Sequence, residues 1–207
     1  MIKLIGLHGK MHSGKSTIAD FITTHNTYDT AVLSFAGKLR ETLSILNIRE
    51  QRESMQQLGQ GLRDIWPDVW IDAVRKDVDN YMESNCWVVF DDLRYPNEFE
   101  YIKDNGGFLI RLEADREVRW ERYKTSTKYD ANLTRAAWDA QQVHHSENVL
   151  DDRSLDWALD VNTNNFSKED MEWIASAVLS EYIEHPRQLK PAFEIFQSTK
   201  SLDWKFI

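Results

Sequence analysis

Cysteine is almost missing from this chain of 207 residues: Cys86 is its single thiol. One thiol excludes an internal disulfide framework and any cysteine-rich zinc site, and it fits a reducing compartment such as the cytoplasm. Positive charge is also scarce, with 25 basic residues against 34 acidic ones and a net charge of −9. A protein that tracks nucleic-acid backbones relies on a broad basic surface, so polymeric nucleic acid is not an expected partner. Any phosphate site must instead be a local concentration of Lys and Arg. Long apolar runs are absent too. The opening run stops at Leu7 and no later one approaches the ~20 residues of a membrane span, so neither a signal peptide nor a membrane partner is expected. The glycosylation patterns at Asn132-Leu133-Thr134 and Asn165-Phe166-Ser167 are then accidental matches. There is no internal repeat and no low-complexity segment.

What is present begins with the apolar run Ile2-Lys3-Leu4-Ile5-Gly6-Leu7, which leads into Gly9-Lys10-Met11-His12-Ser13-Gly14-Lys15-Ser16. The latter matches G-x-x-x-x-G-K-[ST]. A buried strand, a glycine-bearing loop and a helix opening at Thr17 point successive backbone N–H groups and a helix N-terminus at one place, which attracts a polyphosphate. The nucleotide-binding candidates are therefore Gly9, His12, Ser13, Gly14, Lys15, Ser16 and Thr17. Lys15 can reach the β- and γ-phosphates of ATP, and the Ser16 hydroxyl can sit on Mg²⁺. The alternative, a chance glycine loop, is disfavoured by the strand before the motif and the helical periodicity after it.

With 42% hydrophobic residues the chain can bury a core as one domain. Apolar density predicts further strands over 30–35, 86–90, 108–112 and 155–161. Helical patterns cover 38–43, 53–65 and 69–81, resume near Pro96, run polar through 115–142, and return over 167–182 behind the capping pattern Ser167-Lys168-Glu169-Asp170. Pro67 breaks one helical stretch and Gly106-Gly107 stops another. Strands alternating with helices predict an α/β fold: a three-layer sandwich with a parallel sheet of about five strands and helices on both faces. The domain would span 1–185, with a helical insert at about 37–85 and a helical lid at about 115–143. The tail 186–207 carries Phe193, Phe196, Trp204 and Phe206, so it is expected to dock on the body or on a second subunit, which leaves a homodimer open.

At the end of the third strand stands the pair Asp91-Asp92. An acidic residue placed there can bind Mg²⁺ beside Ser16. Side chains alternate along a strand, so Asp92 is favoured with Asp91 as alternate; the competing role is a cap for the helix near Pro96.

Phe35-Ala36, the Leu58-Gly59 turn with Arg63, Asp92-Leu93-Arg94-Tyr95-Pro96-Asn97-Glu98, Gly106-Gly107 and His145-Ser146-Glu147 form an ordered set. In that order they resemble the deoxynucleoside monophosphate kinases of tailed bacteriophages, over about residues 1 to 163. Here His144-His145-Ser146-Glu147 replaces an H-P-S-E form, and Gly37 stands in place of a longer acidic-proline turn. The resemblance implies transfer of the γ-phosphoryl of ATP, with Mg²⁺, to the 5′-phosphate of a deoxynucleotide in infected bacterial cytoplasm. It implies a P-loop kinase sandwich in which the insert binds the monophosphate. Arg63 is then assigned to the acceptor phosphate and Arg94 to the reaction centre, with Lys15 and Asp92 as catalytic groups.

Phosphoryl transfer between two anions needs cations from several elements more than it needs covalent chemistry. Lys38 and Arg40 can reach the acceptor or form an ordinary charged first turn. Arg116, Arg119 and Arg122, spaced by three, can close as a lid, Arg116 and Arg119 as catalytic groups, or lie exposed and paired with Glu113, Glu117 and Glu121. Arg135 adds a further cation. Phe35, Ala36, Gln56, Gln57, Gly59, Trp66 and Trp70 suit recognition of a base, the tryptophans having core packing as their other reading. Asn97 and Glu98 would orient Arg94 or touch the sugar, and Glu147 completes the substrate set. Two rivals remain: another P-loop small-molecule kinase, of the dephospho-coenzyme A or shikimate kinase type, and an ATP-dependent switch.

Overall fold

In a computed structural model of the chain, residues 4–26, 28–143, 148–151, 155 and 159–184 are described. Five strands pair in parallel in the order β2-β3-β1-β4-β5, where β1 is Leu4–His8, β2 Thr30–Leu33, β3 Trp87–Leu93, β4 Phe108–Glu113 and β5 Leu159–Asn162. The helices are α1 (Lys15–His25), α2 (Phe35–Ile45), α3 (Arg52–Ile65), α4 (Val69–Glu83), α5 (Pro96–Asp104), α6 (Arg116–Lys124), α7 (Arg135–Gln141) and α8 (Lys168–Glu184). The expected α/β sandwich with a parallel sheet is what forms.

Strand periodicity divides the core into two. Ile5, Leu7, Trp87, Val89, Phe108 and Ile110 point to the face covered by α1 and α8. Their neighbours Leu4, Val88, Phe90 and Leu109 point to the other face, against α2, α4 and α5. Both faces are apolar, so these strands read as continuous apolar runs, as parallel strands buried on two sides do.

Several boundaries differ from the periodicity, each for a local reason. β2 stops at Leu33 because Ser34 caps α2, its hydroxyl accepting from Gly37 N at 2.8 Å. Phe35 therefore begins a helix instead of ending a strand. β3 continues past Phe90 through both aspartates to Leu93. Its register against β1 steps from Gly6↔Phe90 to His8↔Leu93, so β3 holds an extra residue at the Asp91-Asp92 pair. Such a bulge re-aims side chains. The polar helical stretch 115–142 is divided into two helices, α6 and α7. The Ser167 cap is present, with Ser167 N donating to Asp170 Oδ2 at 2.7 Å and Asp170 N to Ser167 Oγ at 3.2 Å. The fifth strand, expected from 155, is seen from Leu159; residues 156–158 and the tail 186–207 lie outside the described residues. No described helix is long and apolar enough to cross a membrane.

Two adjacent glycines turn α5 into β4, for different reasons. Gly106 has φ 68 and open space where a Cβ would be, whereas a Cβ on Gly107 would stand 2.6 Å from Ile102 Cγ2 and 2.7 Å from Ile102 O. Gly106→Ala should lose about 1 kcal/mol of stability through backbone strain. Gly107→Ala should lose more, about 1–3 kcal/mol, because the β4 entry must shift. Urea unfolding of the two variants checks the order.

Candidate active site

The loop between β1 and α1 is shaped by close approach. Gly9 has φ 151, and a Cβ there would lie 2.4 Å from Leu112 O of β4. Gly14 has φ 110, and its Cβ would lie 2.7 Å from Met171 Cε of α8. His12 adopts a left-handed φ of 62 without being glycine. Its ring lies 5.2 Å from the Tyr123 ring of α6. Lys15 folds back over the loop and donates to the carbonyls of Gly9 and Lys10, the latter at 3.0 Å. Ser13 is fully buried, Thr17 is half-buried and Ser16 is exposed on the first turn of α1. The Thr163 hydroxyl, just beyond β5, lies 3.0 Å from both the Ser13 and Glu113 carbonyls.

Beside the loop, at the C-terminal ends of β2 and β3, a cavity of about 400 Å³ opens between α2, α3 and the β3–α5 turn. It gathers Phe35, Ala36, Arg40, Gly59, Arg63, Trp70, Asp92, Arg94 and Glu98 from the expected set. Four expected residues stay outside its walls. Lys38 pairs with Asp77 at 2.7 Å and Glu41 at 2.9 Å. Asn97 ties α5 to the α3–α4 turn, donating to Pro67 O at 3.0 Å and Asp68 Oδ1 at 2.8 Å. Gln57 is exposed, because the helical period turns Gln56 and Gln60 to the cavity instead. Trp66 is exposed and bonds to Asp72 at 2.9 Å. Glu147 and the rest of 144–147 lie outside the described residues. On the other side of the loop a second cavity, of about 420 Å³, is lined by Gly9, Lys10, His8, Arg111 and Arg119 among others. His8 is buried against Leu93 O at 2.9 Å, and burial holds its imidazole down at about 4.

Two carboxylates build the first cavity. Asp92 accepts from Phe35 N at 3.0 Å and from Ala36 N at 2.8 Å, one amide per oxygen. The residue expected at the metal thus commits its oxygens to the start of α2, as a helix-capping carboxylate does. Burial pushes its carboxyl above the ordinary range despite those amides. Asp91 is half-buried on the bulge beside it. Glu98 is buried, with Oε1 accepting from Arg63 Nη2 at 3.1 Å and Oε2 from the amides of Arg94 (2.8 Å) and Tyr95 (3.0 Å). Arg63 also lies 3.8 Å over the Tyr95 ring and donates to Gly59 O at 3.2 Å. The Trp70 indole donates to that same carbonyl at 3.2 Å, so its buried ring is wall and core at once. Burial, then the Asp92 charge, raises the Glu98 carboxyl to about 7 against the lowering effect of Arg63 and the two amides.

A family profile described as AAA domain matches residues 5–144, from within β1 to just past α7. The chain belongs to the AAA domain family. No curated protein matches it. Among solved structures, a gluconokinase from Sinorhizobium meliloti 1021 is similar at 18% identity and TM-score 0.55, over 94% of this chain and 96% of that one. A sugar kinase from Janibacter sp. HTCC2649 is similar at 14% identity and TM-score 0.53, over 92% of this chain and 99% of that one. At such identities the likeness is one of fold, the P-loop kinase sandwich.

In this AAA domain the three α6 arginines part company. Steps of three residues fall about 60° short of a full helical turn each, so a run of three does not share one face. Arg119 is buried and donates to Met11 O at 3.4 Å and Ala114 O at 3.1 Å; Arg122 donates to Thr163 Oγ1 at 3.0 Å and to Ser13 O at 3.4 Å. Both therefore hold the loop's backbone. Arg116 is exposed and pairs with Asp139 of α7 at 2.6 Å, in place of a glutamate of its own helix. Arg135 pairs with Glu117 and Asp139. Arg52, Gln142 and Thr163 were not singled out by sequence reasoning, and Tyr95 entered it only as a member of the Asp92–Glu98 segment. Only Arg52 carried a signal: a cation in the first turn of a helix opposes the helix dipole and asks for a reason.

Between about 4.5 and 7 the folded protein holds a proton on Glu98 that the unfolded chain releases, so this residue's contribution to stability is present below that window and lost as pH rises through it. Glu98→Gln should remove that slope. Its melting temperature relative to the parent should climb by on the order of a few degrees from pH 5 to pH 8, whereas His8, depressed, titrates alike in both proteins. Parallel curves would contradict the assignment.

Proposed function

We propose that this protein is an ATP-dependent phosphotransferase that moves the γ-phosphoryl group of ATP onto a small acceptor in the arginine-lined cavity. One observation carries the reading: a glycine cradle and a separate cavity of about 400 Å³ lined by four arginines, Arg40, Arg52, Arg63 and Arg94, lie side by side at one edge of the sheet. A nucleotide-dependent switch needs the cradle and has no use for the cavity. The loop amides and the N-terminus of α1 would bind the β- and γ-phosphates. Lys15 would exchange the Gly9 and Lys10 carbonyls for phosphate oxygens, while Arg119 and Arg122 keep the loop in shape. Arg94, just past the end of β3, would meet the moving phosphoryl group between donor and acceptor.

Mg²⁺ fits as part of the nucleotide complex. Among the described residues no group of three or more His, Cys, Asp or Glu could hold a metal ion by itself. Ser16 and Asp91 would hold it, Asp92 being engaged on amides, and phosphate oxygens would complete its shell. It would supply charge neutralisation on the transferring phosphates.

The acceptor in this reading is a deoxynucleoside 5′-monophosphate, as the ordered motifs around Phe35, Arg63 and Asp92–Glu98 imply. Its phosphate suits fork-shaped guanidinium groups. Trp70, Phe35 and Met55 offer an apolar wall for a base, and Gln56 and Gln60 offer amides to read its edge. An ionised phosphate needs no general base. The setting would be deoxynucleotide supply in the cytoplasm of a phage-infected bacterium. A second reading, a hydroxyl acceptor such as a sugar acid, is favoured by a different observation: a hydroxyl needs a base, and the cavity contains the carboxylates of Asp92 and Glu98. The names of the similar gluconokinase and sugar kinase point the same way.

ADP release from MgATP should be followed with each deoxynucleoside monophosphate, each ribonucleotide counterpart, gluconate and shikimate. Turnover that depends on a deoxynucleotide supports the first reading, and turnover with a hydroxyl acceptor alone replaces it with the second. Turnover without any acceptor would sink both. Lys15→Ala and Arg94→Ala should each lower kcat by on the order of 10²–10³-fold or more with an unchanged melting curve; full activity in either removes its assigned role.

A further inference from the structure

A series of hydrogen bonds joins the nucleotide loop to the acceptor cavity through α7. Arg119 of α6 donates to Met11 O of the loop at 3.4 Å and to the side-chain oxygen of Gln142. Gln142 caps the end of α7, and its amide nitrogen donates to Trp138 O at 3.4 Å. Trp138 is fully buried, with the Arg119 guanidinium 5.6 Å from its ring, so the end of α7 is locked to Arg119 from two sides. The residue before the cap, Gln141, presents its carbonyl to Arg52 Nη2 at 2.8 Å. Arg52 opens α3 and lines the acceptor cavity.

Helix electrostatics explain why the arginine belongs there. At the head of α3 its charge is misplaced against the dipole, while the last carbonyls of α7 lack intrahelical partners and carry the negative end of theirs. Arg52 satisfies α7 at the expense of α3, a placement that secondary structure alone would not select. Its contact spans 89 positions of the chain. It is therefore a tertiary device, and its bond leads from the cavity back toward the loop.

We propose that Arg52 is a positioning residue that couples the two sites: a change at the nucleotide loop on filling passes through Met11, Arg119, Gln142 and the Gln141 carbonyl to the first turn of α3, and so to the acceptor cavity. This rests on the reading of the loop as an ATP site. By linkage the coupling is mutual, so an acceptor tightens the nucleotide by the same factor that the nucleotide tightens it.

The test is amide hydrogen exchange on the full chain, with and without Mg²⁺ and the β,γ-imido analogue of ATP, which requires no knowledge of the acceptor. In the parent protein the analogue should slow exchange about 5-fold or more both in the loop and at residues 55–58 of α3. In Gln142→Met, a change at a residue that itself lines neither cavity, the loop should stay protected while the α3 response disappears. Gln142→Glu, which keeps an oxygen for Arg119, should retain it. Arg52→Met should lose the α3 response and Arg52→Lys should recover part of it, a pattern that a purely structural arginine would not give. Protection of the loop with no response at 55–58 in the parent, or a response in Gln142→Met and Arg52→Met as large as the parent's, overturns the coupling. If Gln142→Met alters exchange before ligand is added, the Arg52 pair decides the matter. A parent protein whose loop is unprotected, with no heat of binding for the analogue, fails earlier: the ATP site itself is then wrong, and the coupling falls with it.

Discussion

Every group of chemical interest here stands where it does because five strands run parallel. Parallel strands deliver all their C-terminal ends to one edge, and the chain leaves each end into a loop or helix start that must be satisfied. From β1 comes the glycine loop, from β2 the Phe35-Ala36 start of α2, from β3 Asp92 and Arg94, from β4 the Glu113 carbonyl and from β5 Thr163. Residues more than a hundred positions apart thereby meet within hydrogen-bond distance, as Thr163 and Ser13 do at 3.0 Å. An antiparallel sheet would have divided these ends between two edges and left neither with a cleft.

The second constraint is charge. The chain is acidic overall, yet the cavity collects four arginines. Buried carboxylates make that possible by serving as scaffold. Asp92 anchors the first amides of α2, and Glu98 holds Arg63 with one oxygen and the Arg94–Tyr95 turn with the other. A carboxylate buried in this way is strained toward its protonated form unless cations and amides surround it, and Glu98, at about 7, sits near that balance. The Arg63 guanidinium is thus preorganised by the protein instead of being gathered by an arriving anion.

The α6–α7 pair shows the same economy beside the glycine loop. Arg119 and Arg122 use their donors on the loop's own carbonyls, so they stabilise a backbone that includes a left-handed histidine at position 12. Around them Trp120, Tyr123, Tyr129 and Trp138 pack ring against ring, which gives a polar stretch of chain a small core of its own.

The sequence by itself determined the sandwich, because apolar runs of strand length alternating with helical periods leave a parallel sheet as the simple solution. It also determined the cradle, because Gly9 and Gly14 mark backbone that no side chain can follow, and the capping of α8 by Ser167 and Asp170. These are local properties, set by neighbours a few residues away. Only the tertiary structure decided which of two adjacent aspartates grips α2, since that depends on a bulge in the pairing of β3 with β1. It alone decided that Gln56 and not Gln57 meets the cavity, that Arg116 faces α7 while Arg119 and Arg122 face the loop, and that Arg52 bonds across 89 positions. Residue type and spacing say that a side chain can bind an anion. Which anion, carbonyl or carboxylate it finds is settled by the register of strands and the phase of helices, and those are fixed only when the distant parts of the chain pack together.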